Sequence, residues 1–227
     1  MTLLTNVKTA IRRDASDMVR LFRVTKYEWD AWASHIAGRF SRRRLQATGL
    51  WLNIASGGHR VPGWLNVDGV PAADVRIDLR RRWPMLDGCA EYIYCEHFLD
   101  HLEFPHGAEK FLRECLRVLE PGGRIRLVVH DLELIARAYL AKDQRFFQES
   151  GFEAPTFAES VNQVARFNDF HRFMYDFDCL TRLLLAVGFT RVTRSAFRSS
   201  EVPELNIDID VPDRPVQSLY VEATKPE

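Results

Sequence analysis

Residues 52–58 read Leu-Asn-Ile-Ala-Ser-Gly-Gly, a short apolar segment that runs directly into small, flexible residues. In an open α/β sheet the ligand binds beyond the carboxyl ends of the strands, where small residues let it touch the backbone. Asp68 stands eleven residues after Gly57, at the end of the next apolar segment, and its carboxylate could accept hydrogen bonds from two ribose hydroxyls. These residues predict a nucleoside-binding loop, with a plain glycine-rich turn as the alternative.

A nicotinamide dinucleotide does not suit this loop. The spacing Gly-x-Gly-x-x-Gly is missing, and only about nine residues separate the two apolar segments, fewer than a parallel crossover helix needs. We therefore expect no more than a single helical turn between the first two strands.

From residue 50 onward, short apolar segments alternate with segments of helical period. This alternation is typical of a parallel sheet covered by helices, so the predicted fold class is α/β, with a doubly wound, mostly parallel sheet. Helical periodicity covers 110–119, and a second helix should begin after Asp176, whose carboxylate can cap it, and end at Gly188. Residues 203–215 contain three prolines and are predicted to form a loop or an edge segment. The seven predicted strands are 50–55, 64–67, 75–77, 91–95, 124–130, 190–194 and 218–223.

Residues 131–175, after the fifth predicted strand, are too many for a simple connection and predict a helical insertion. The phenylalanines there either pack an extra helical layer onto the sheet or line a substrate pocket under a lid. Seven of the fifteen phenylalanines lie in this segment: Phe146, Phe147, Phe152, Phe157, Phe167, Phe170 and Phe173.

Composition limits the class of protein. The 227 residues are 46% hydrophobic and 27% charged, which suits one sizeable globular domain, and the 31 basic and 31 acidic residues leave no net charge to attract nucleic acid. The balance is uneven, because residues 1–48 hold ten Lys/Arg and four Asp/Glu, against 21 and 27 in the remainder. We predict a basic N-terminal helical appendage over 1–48, of unassigned role, and a catalytic domain over 49–227.

The four cysteines form no Cys-x-x-Cys pair, and no apolar run approaches the about 18 residues of a membrane span. These features predict a cytoplasmic protein without a transmembrane segment. Oligomeric state is not fixed by the sequence, and a homo-oligomer stays open.

His97 and His101 are four residues apart and would share a helix face, which raises a metal hypothesis with Asp100 or Glu96 as third ligand. No distant motif of recognised spacing accompanies them. We therefore predict no metal ligands and interpret both histidines as polar lining or helix-packing groups.

The order of motifs resembles the S-adenosylmethionine-dependent methyltransferases of Rossmann-like fold. More narrowly, it is similar to a bacterial group of short-crossover methyltransferases associated with glycan or secondary-metabolite synthesis, which also carry a His-Arg-aromatic segment. The residues that carry the resemblance are Leu-Asn-Ile-Ala-Ser-Gly (52–57), Gly-Trp-Leu-Asn-Val-Asp (63–68), Asp-Leu (78–79), Tyr-Cys-Glu-His-Phe-Leu-Asp-His-Leu (94–102), Glu-Cys-Leu-Arg-Val-Leu-Glu-Pro-Gly-Gly (114–123), Val-His-Asp-Leu (129–132) and His-Arg-Phe-Met-Tyr-Asp (171–176).

The resemblance implies S-adenosylmethionine as cofactor and a role for each matched position. The turn after the first strand would approach the methionine part, Asp68 would bind the ribose, and Asp78 with Leu79 would flank the adenine. Ala55 stands where the family usually has glycine, and His130 where a proline is common. The implied cofactor-binding residues are Asn53, Ala55, Ser56, Gly57, Asp68, Asp78, Leu79, Cys95, Glu96 and His97.

Methyl transfer from a sulfonium is an in-line displacement that needs alignment and, for a hydroxyl acceptor, a base. Histidine is the usual candidate. We predict His171 and His130 as candidate bases, with Asp131 as a partner that orients His130, while a purely structural role is the alternative for each. The predicted reaction is O-methylation of a sugar or other small molecule; N-methylation and a non-catalytic cofactor-binding module are the alternatives.

Overall fold

A computed structural model describes residues 47–167 and 169–227. Except for residues 47 and 48, the predicted N-terminal appendage lies outside the described residues. In the described part, no helix is long and apolar enough to cross a membrane.

The seven predicted strands form one sheet, which confirms the predicted fold class. In space the strands follow the order β3-β2-β1-β4-β5-β7-β6. β1 to β5 pair in parallel, whereas β7 runs antiparallel to both β5 and β6. The strands are β1 (Leu50–Ile54), β2 (Leu65–Asp68), β3 (Val75–Arg76), β4 (Ala90–Glu96), β5 (Leu119–His130), β6 (Thr190–Ser195) and β7 (Ser218–Thr224).

The sheet changes its direction of winding between β1 and β4, which are neighbours although two other strands come between them in the chain. Ligands of open α/β sheets bind outside the carboxyl ends of the strands at such a point. The connection between β1 and β2 contains only turns, as its length predicts. Small residues at the end of β1 therefore stand at the position where this fold class binds its ligand.

Helices α1 (His106–Val118) and α5 (Phe177–Val187) pack against one face of the sheet. Both were expected from their apolar period, and α1 starts four residues before its predicted beginning because His106 and Gly107 carry no apolar signal. On the other face of the sheet, Trp64, Tyr94 and Tyr220 are buried together with Leu205, which belongs to the loop between β6 and β7. That loop contains a 3-10 turn at Pro203–Leu205 and the short helix α6 (Arg214–Gln217).

The predicted insertion after β5 consists of α2 (Leu132–Ala141), α3 (Gln144–Glu149) and α4 (Phe157–Arg166). These helices share a small core that includes Ile135 and Val164. Phe147 and Phe152 are buried in this core, with Phe146 and Phe157 packed against it, so the packing interpretation holds for these four. Phe167 and Phe170 differ, with 45% and 38% of their surface exposed.

The ends of α5 agree with the sequence prediction. The Asp176 carboxylate accepts a hydrogen bond from the Cys179 amide, and Gly188 ends the helix with a φ of 117°, a conformation that glycine adopts without strain.

Replacing Asp176 with alanine should lower the free energy of unfolding by about 1 kcal/mol in urea denaturation, because the first turn of α5 loses its cap. The matched control is Asp178→Ala in the same turn, which caps nothing; an equal loss in both variants would contradict the capping role.

Candidate functional site

The loop after β1 is built as the sequence predicts. The Gly57 amide donates a hydrogen bond of 2.8 Å to Oδ2 of Asp68, which joins the end of β1 to the end of β2. Ala55 has a φ of 58°, in the left-handed region that favours glycine. Alanine is therefore accommodated at this position at a small conformational cost.

The loop has room and polar groups for a nucleoside cofactor. A methyl group placed on Gly57 or Gly58 would meet no described atom within 4 Å, so space is open beside the turn. Within the described residues, Oγ of Ser56 is buried and has no hydrogen-bond partner. An unpaired buried hydroxyl is costly, and a bound ligand or water would satisfy it. The residues of this loop therefore fit the predicted cofactor.

Other predicted cofactor residues lie near the loop but are already engaged. The Asp78 carboxylate accepts hydrogen bonds from the side chains of Arg80 and Arg81, and these cations hold the pKa of Asp78 below its ordinary value against the effect of burial. Leu79 and Cys95 are buried in the main core. Burial raises the pKa of the Cys95 thiol well above its ordinary value, so this cysteine is an inert packing group.

Two predicted cofactor residues face structural partners instead. Asn53 donates hydrogen bonds to the Asn66 side chain and to the carbonyl of His59, which fixes the connection between β1 and β2. Glu96 accepts hydrogen bonds from Arg214 and from the hydroxyl of Tyr94. The alternation of side chains along a strand explains the difference, because Asn53 and Glu96 point away from the face on which Ile54 and Cys95 are buried.

The structure gives the Asp131 carboxylate partners other than His130. Its carboxylate caps α2 by accepting hydrogen bonds from the amides of Glu133 and Leu134, and it pairs with Arg194. The residue that orients His130 is Asp100, whose Oδ2 lies 2.6 Å from Nδ1 of His130. Asp131 follows His130 directly in the chain, but β5 ends there and the helix cap takes the carboxylate.

The structure brings four histidines together around Asp100, at the carboxyl ends of β4 and β5. Nδ1 of His97 lies 3.1 Å from Nδ1 of His130. The ring centroid of His171 is 4.6 Å from that of His130 and 5.2 Å from that of His101. His97, His130 and His171, which the sequence proposed separately, therefore belong to one cluster.

His97 and His101 do not share a helix face. His97 has a φ of 47° and lies before the 3-10 turn Leu99–His101, so the chain changes direction between the two residues. The His97 ring faces His130 and Ser218, whereas the His101 ring lies between Phe98 and Phe170. The pairing expected from their spacing is wrong because the segment is not a regular helix.

Hydrogen-bond partners indicate which nitrogen of His171 carries a proton. Its Nδ1 lies 2.5 Å from the carbonyl oxygen of Val164, which can only accept, so Nδ1 carries the hydrogen. Nε2 of the neutral ring then has a free lone pair, and the described residues give it no hydrogen-bond partner. Burial lowers the pKa of His171 to about 4, so the ring is neutral near pH 7. His171 is thus ready to accept a proton at Nε2.

The same cluster should make the protein sensitive to acid. Burial lowers the pKa of His97 to about 3 and also that of His101, so with His171 the folded protein holds fewer protons than the unfolded chain below about pH 6.5. Stability must then fall as pH drops from about 6.5 toward 4, by roughly 1–3 kcal/mol per pH unit. The lowered pKa of Asp100 acts only at still lower pH, below the about 3.9 of an unfolded carboxyl.

Urea denaturation at several pH values, with a chelator present, measures this slope. His171→Asn should make it shallower by up to about 1.4 kcal/mol per pH unit. The exposed His106, replaced in the same way, should leave the slope unchanged. A wild-type stability that is flat between pH 6.5 and 4 would show that these histidines are not buried in the neutral form.

Two members of the cluster could not be assigned from local sequence. Asp100 was considered only as a metal ligand, yet it contacts His130 thirty positions later in the chain. Ser218, the first residue of β7, lies 3.0 Å from Nε2 of His97 through its Oγ and was not considered. Its only signal is the pairing of β7 with β5, which places Ser218 opposite His130.

One family model matches part of the chain. Residues 66–127, or 62 of the 227 residues, match the family model of a methyltransferase domain. This segment runs from β2 into β5. No curated protein matches the chain.

The solved structures that are similar to this chain include the following three proteins. A Thermotoga maritima S-adenosylmethionine-dependent methyltransferase, described as a possible histamine N-methyltransferase, is 16% identical, with 94% of this chain and 96% of that one covered and a TM-score of 0.48. The Bacillus subtilis YcgJ protein is 13% identical over 85% and 100%, with a TM-score of 0.45. Haemonchus contortus phosphoethanolamine N-methyltransferase 2, in complex with S-adenosylmethionine, is 11% identical over 88% and 56%, with a TM-score of 0.49.

The family match, on the fold described above, supports an enzyme of the S-adenosylmethionine-dependent methyltransferase class. The cofactor of this class is S-adenosylmethionine.

Proposed function

We propose that this protein transfers a methyl group from S-adenosylmethionine to a hydroxyl group of a sugar or other small molecule, with His171 as general base. We further propose that residues 49–227 form the catalytic domain and that 131–175 recognise the acceptor. The observation that carries the proposal is the unprotonated Nε2 of His171, in a histidine cluster at the carboxyl ends of the central strands.

The loop after β1 would hold the cofactor. Ser56 and Gly57 would contact its methionine part, and Asp68 would accept hydrogen bonds from the ribose. Asp68 is suited to this because its carboxylate is already fixed by the amides of Gly57, Gly69 and Val70. When bound, the cofactor supplies a methyl group on a sulfonium, which leaves without protonation.

The chain's own residues would then bind and orient the acceptor and take its proton. Val164 fixes the His171 ring in the tautomer that keeps Nε2 unprotonated, so that Nε2 can accept the hydroxyl proton as the oxygen attacks. Phe167 stacks on His171, and Phe170 on His101, each with an exposed surface. These two rings would cover the apolar face of an acceptor and exclude water from it.

An amine acceptor is the second candidate, favoured by one observation. The lowered pKa of His171 makes its imidazole a weak base, and a neutral amine needs no base before it attacks. Methyl transfer from labelled S-adenosylmethionine to a panel of sugars, phenols, alcohols and amines separates the two. Turnover confined to hydroxyl acceptors supports O-methylation, and turnover confined to amines contradicts it.

The group associated with glycan or secondary-metabolite synthesis belongs to the same proposal. It is supported by the His-Arg-aromatic segment at 171–176 and by the short connection between β1 and β2. Sugar acceptors that outcompete other alcohols in the panel would support it.

Asp68→Ala should weaken the binding of S-adenosylhomocysteine about 100-fold, because hydrogen bonds to a charged group contribute roughly 1.5–3 kcal/mol. Isothermal titration calorimetry measures the affinity at a temperature where the variant is folded. The matched control is Asp74→Ala, which removes a carboxylate that pairs with Arg60 and Asn66 just before β3. If both variants bound S-adenosylhomocysteine equally well, Asp68 would not be the ribose ligand.

A further inference from the structure

Three side chains of the types that bind metal ions point at one another beyond β4 and β5. Nδ1 of His130 lies 3.1 Å from Nδ1 of His97 and 2.6 Å from Oδ2 of Asp100. Nδ1 of His97 lies 3.7 Å from the same carboxylate oxygen. All three side chains are almost completely shielded from solvent, with at most 11% of their surface exposed.

These separations match those of ligands on a single ion. Bonds of about 2.0–2.2 Å in a tetrahedral site place neighbouring ligand atoms about 3.3 Å apart. The three distances lie on either side of that value, so shifts of well under 1 Å would give each atom a metal bond. Without an ion, Oδ2 of Asp100 accepts a hydrogen bond from the backbone amide of His130 and also faces its Nδ1, while Nδ1 of His97 has only the His130 ring nitrogen as a close hydrogen-bond partner.

The ring of His97 is held as metal-binding histidines are held. Its Nε2 lies 3.0 Å from Oγ of Ser218, which can accept the Nε2 hydrogen and leave the Nδ1 lone pair directed at His130 and Asp100. Such a contact on the second nitrogen fixes the tautomer and the orientation of a metal ligand. Ser218 is thus a positioning residue for His97.

A second, independent observation points to a missing partner at the same place. Within the described residues, Oδ1 of Asp100 is buried without a hydrogen-bond partner. The Asp100 side chain is 1% exposed. Unsatisfied buried oxygens are rare in folded proteins and call for a ligand, an ion or its bound water.

We propose that His97, Asp100 and His130 form a binding site for one divalent transition-metal ion of the zinc type. Two imidazoles and a carboxylate leave further coordination positions for water or substrate. The ion would take the Nδ1 lone pair of His130, so that the single hydrogen of the neutral ring would stand on Nε2 and no longer lie between Nδ1 and Asp100. If the O-methylation proposed above holds, an acceptor hydroxyl on an open position would be acidified by the ion and would lose its proton to His171.

The test uses untagged full-length protein, stripped with a chelator and titrated calorimetrically with Zn²⁺. One ion per chain should bind, and its affinity should fall as the pH is lowered, because an imidazole binds a metal ion only through an unprotonated nitrogen. His97→Ala should weaken binding at least about 100-fold, and Asp100→Asn about 10-fold or more. His106→Ala, which changes an exposed histidine outside the cluster, should bind as the wild type does.

Co²⁺ provides a readout that does not depend on variants folding. The Co²⁺-loaded wild type should show the absorption of a four- or five-coordinate ion with nitrogen and oxygen ligands, which Zn²⁺ abolishes on displacement. Absence of stoichiometric binding, or binding that His97→Ala and Asp100→Asn leave unchanged, would overturn the site. S-adenosylhomocysteine binding by the stripped protein is measured separately, so a failed metal site is distinguishable from a failed methyltransferase assignment.

Discussion

Replacement of Arg126 by methionine should lower the free energy of unfolding by about 3–5 kcal/mol, the cost of leaving buried charges without their partner. The Arg126 side chain is fully buried in β5, between Asp208 and Glu222. Its guanidinium also donates hydrogen bonds to Oγ of Ser195 and to the carbonyl of Ala196, so each of its three nitrogens has an acceptor. The variant would leave two buried carboxylates facing each other.

The loss of stability in Arg126→Met should also include contacts of the loop after β6. Asp208 also accepts a hydrogen bond from the Arg198 amide, so Arg126 holds the loop after β6 on the sheet. Urea denaturation measures the change. The matched control is Arg124→Met, two residues earlier on β5, where the side chain is 31% exposed and its contact with Glu201 is 3.7 Å long. This control should change stability by less than about 1 kcal/mol; a similarly small change for Arg126→Met would show that the buried charges contribute nothing.

Replacement of His171 by glutamine should reduce kcat about 100- to 10,000-fold with the best acceptor of the panel, because a general base contributes on this scale. Glutamine keeps a polar group near the Val164 carbonyl but has no nitrogen lone pair for the proton. Affinity for S-adenosylhomocysteine should stay within about twofold, since His171 is not proposed to touch the cofactor. The acid limb of the pH–rate profile should also disappear.

His106→Gln, at an exposed position on α1, is the control and should leave kcat unchanged. His130→Gln tests the alternative general base, because the sequence also made His130 a candidate. A full loss in His130→Gln together with a normal rate in His171→Gln would transfer the base to His130, oriented by Asp100 rather than by Asp131. Normal rates in both variants would favour an amine acceptor.

Local sequence predicted the fold well because its signals are local. Each strand is a short apolar run between turn residues, and α5 carries both its cap at Asp176 and its glycine end at Gly188. The proximity of Gly57 and Asp68 was also predictable, because both follow the ends of neighbouring parallel strands.

Prediction failed where contacts depend on distant parts of the chain. Asp131 was chosen for His130 by adjacency, whereas the sheet brings Asp100 to it across thirty residues. Residues 203–215 were predicted only as a loop or an edge segment, yet Asp208 in this segment is a partner of the buried Arg126. His97 takes a left-handed backbone conformation that no propensity indicates, and this separates it from His101. Each failure concerns a polar side chain whose partner is set by strand order.

We expect the loop after β1 to bind S-adenosylmethionine at the carboxyl ends of the central strands. Calorimetric titration of the intact protein with S-adenosylhomocysteine tests it most directly. One molecule should bind per chain, and Asp68→Ala should weaken this binding about 100-fold. No binding by a folded protein at millimolar S-adenosylhomocysteine would contradict the assignment.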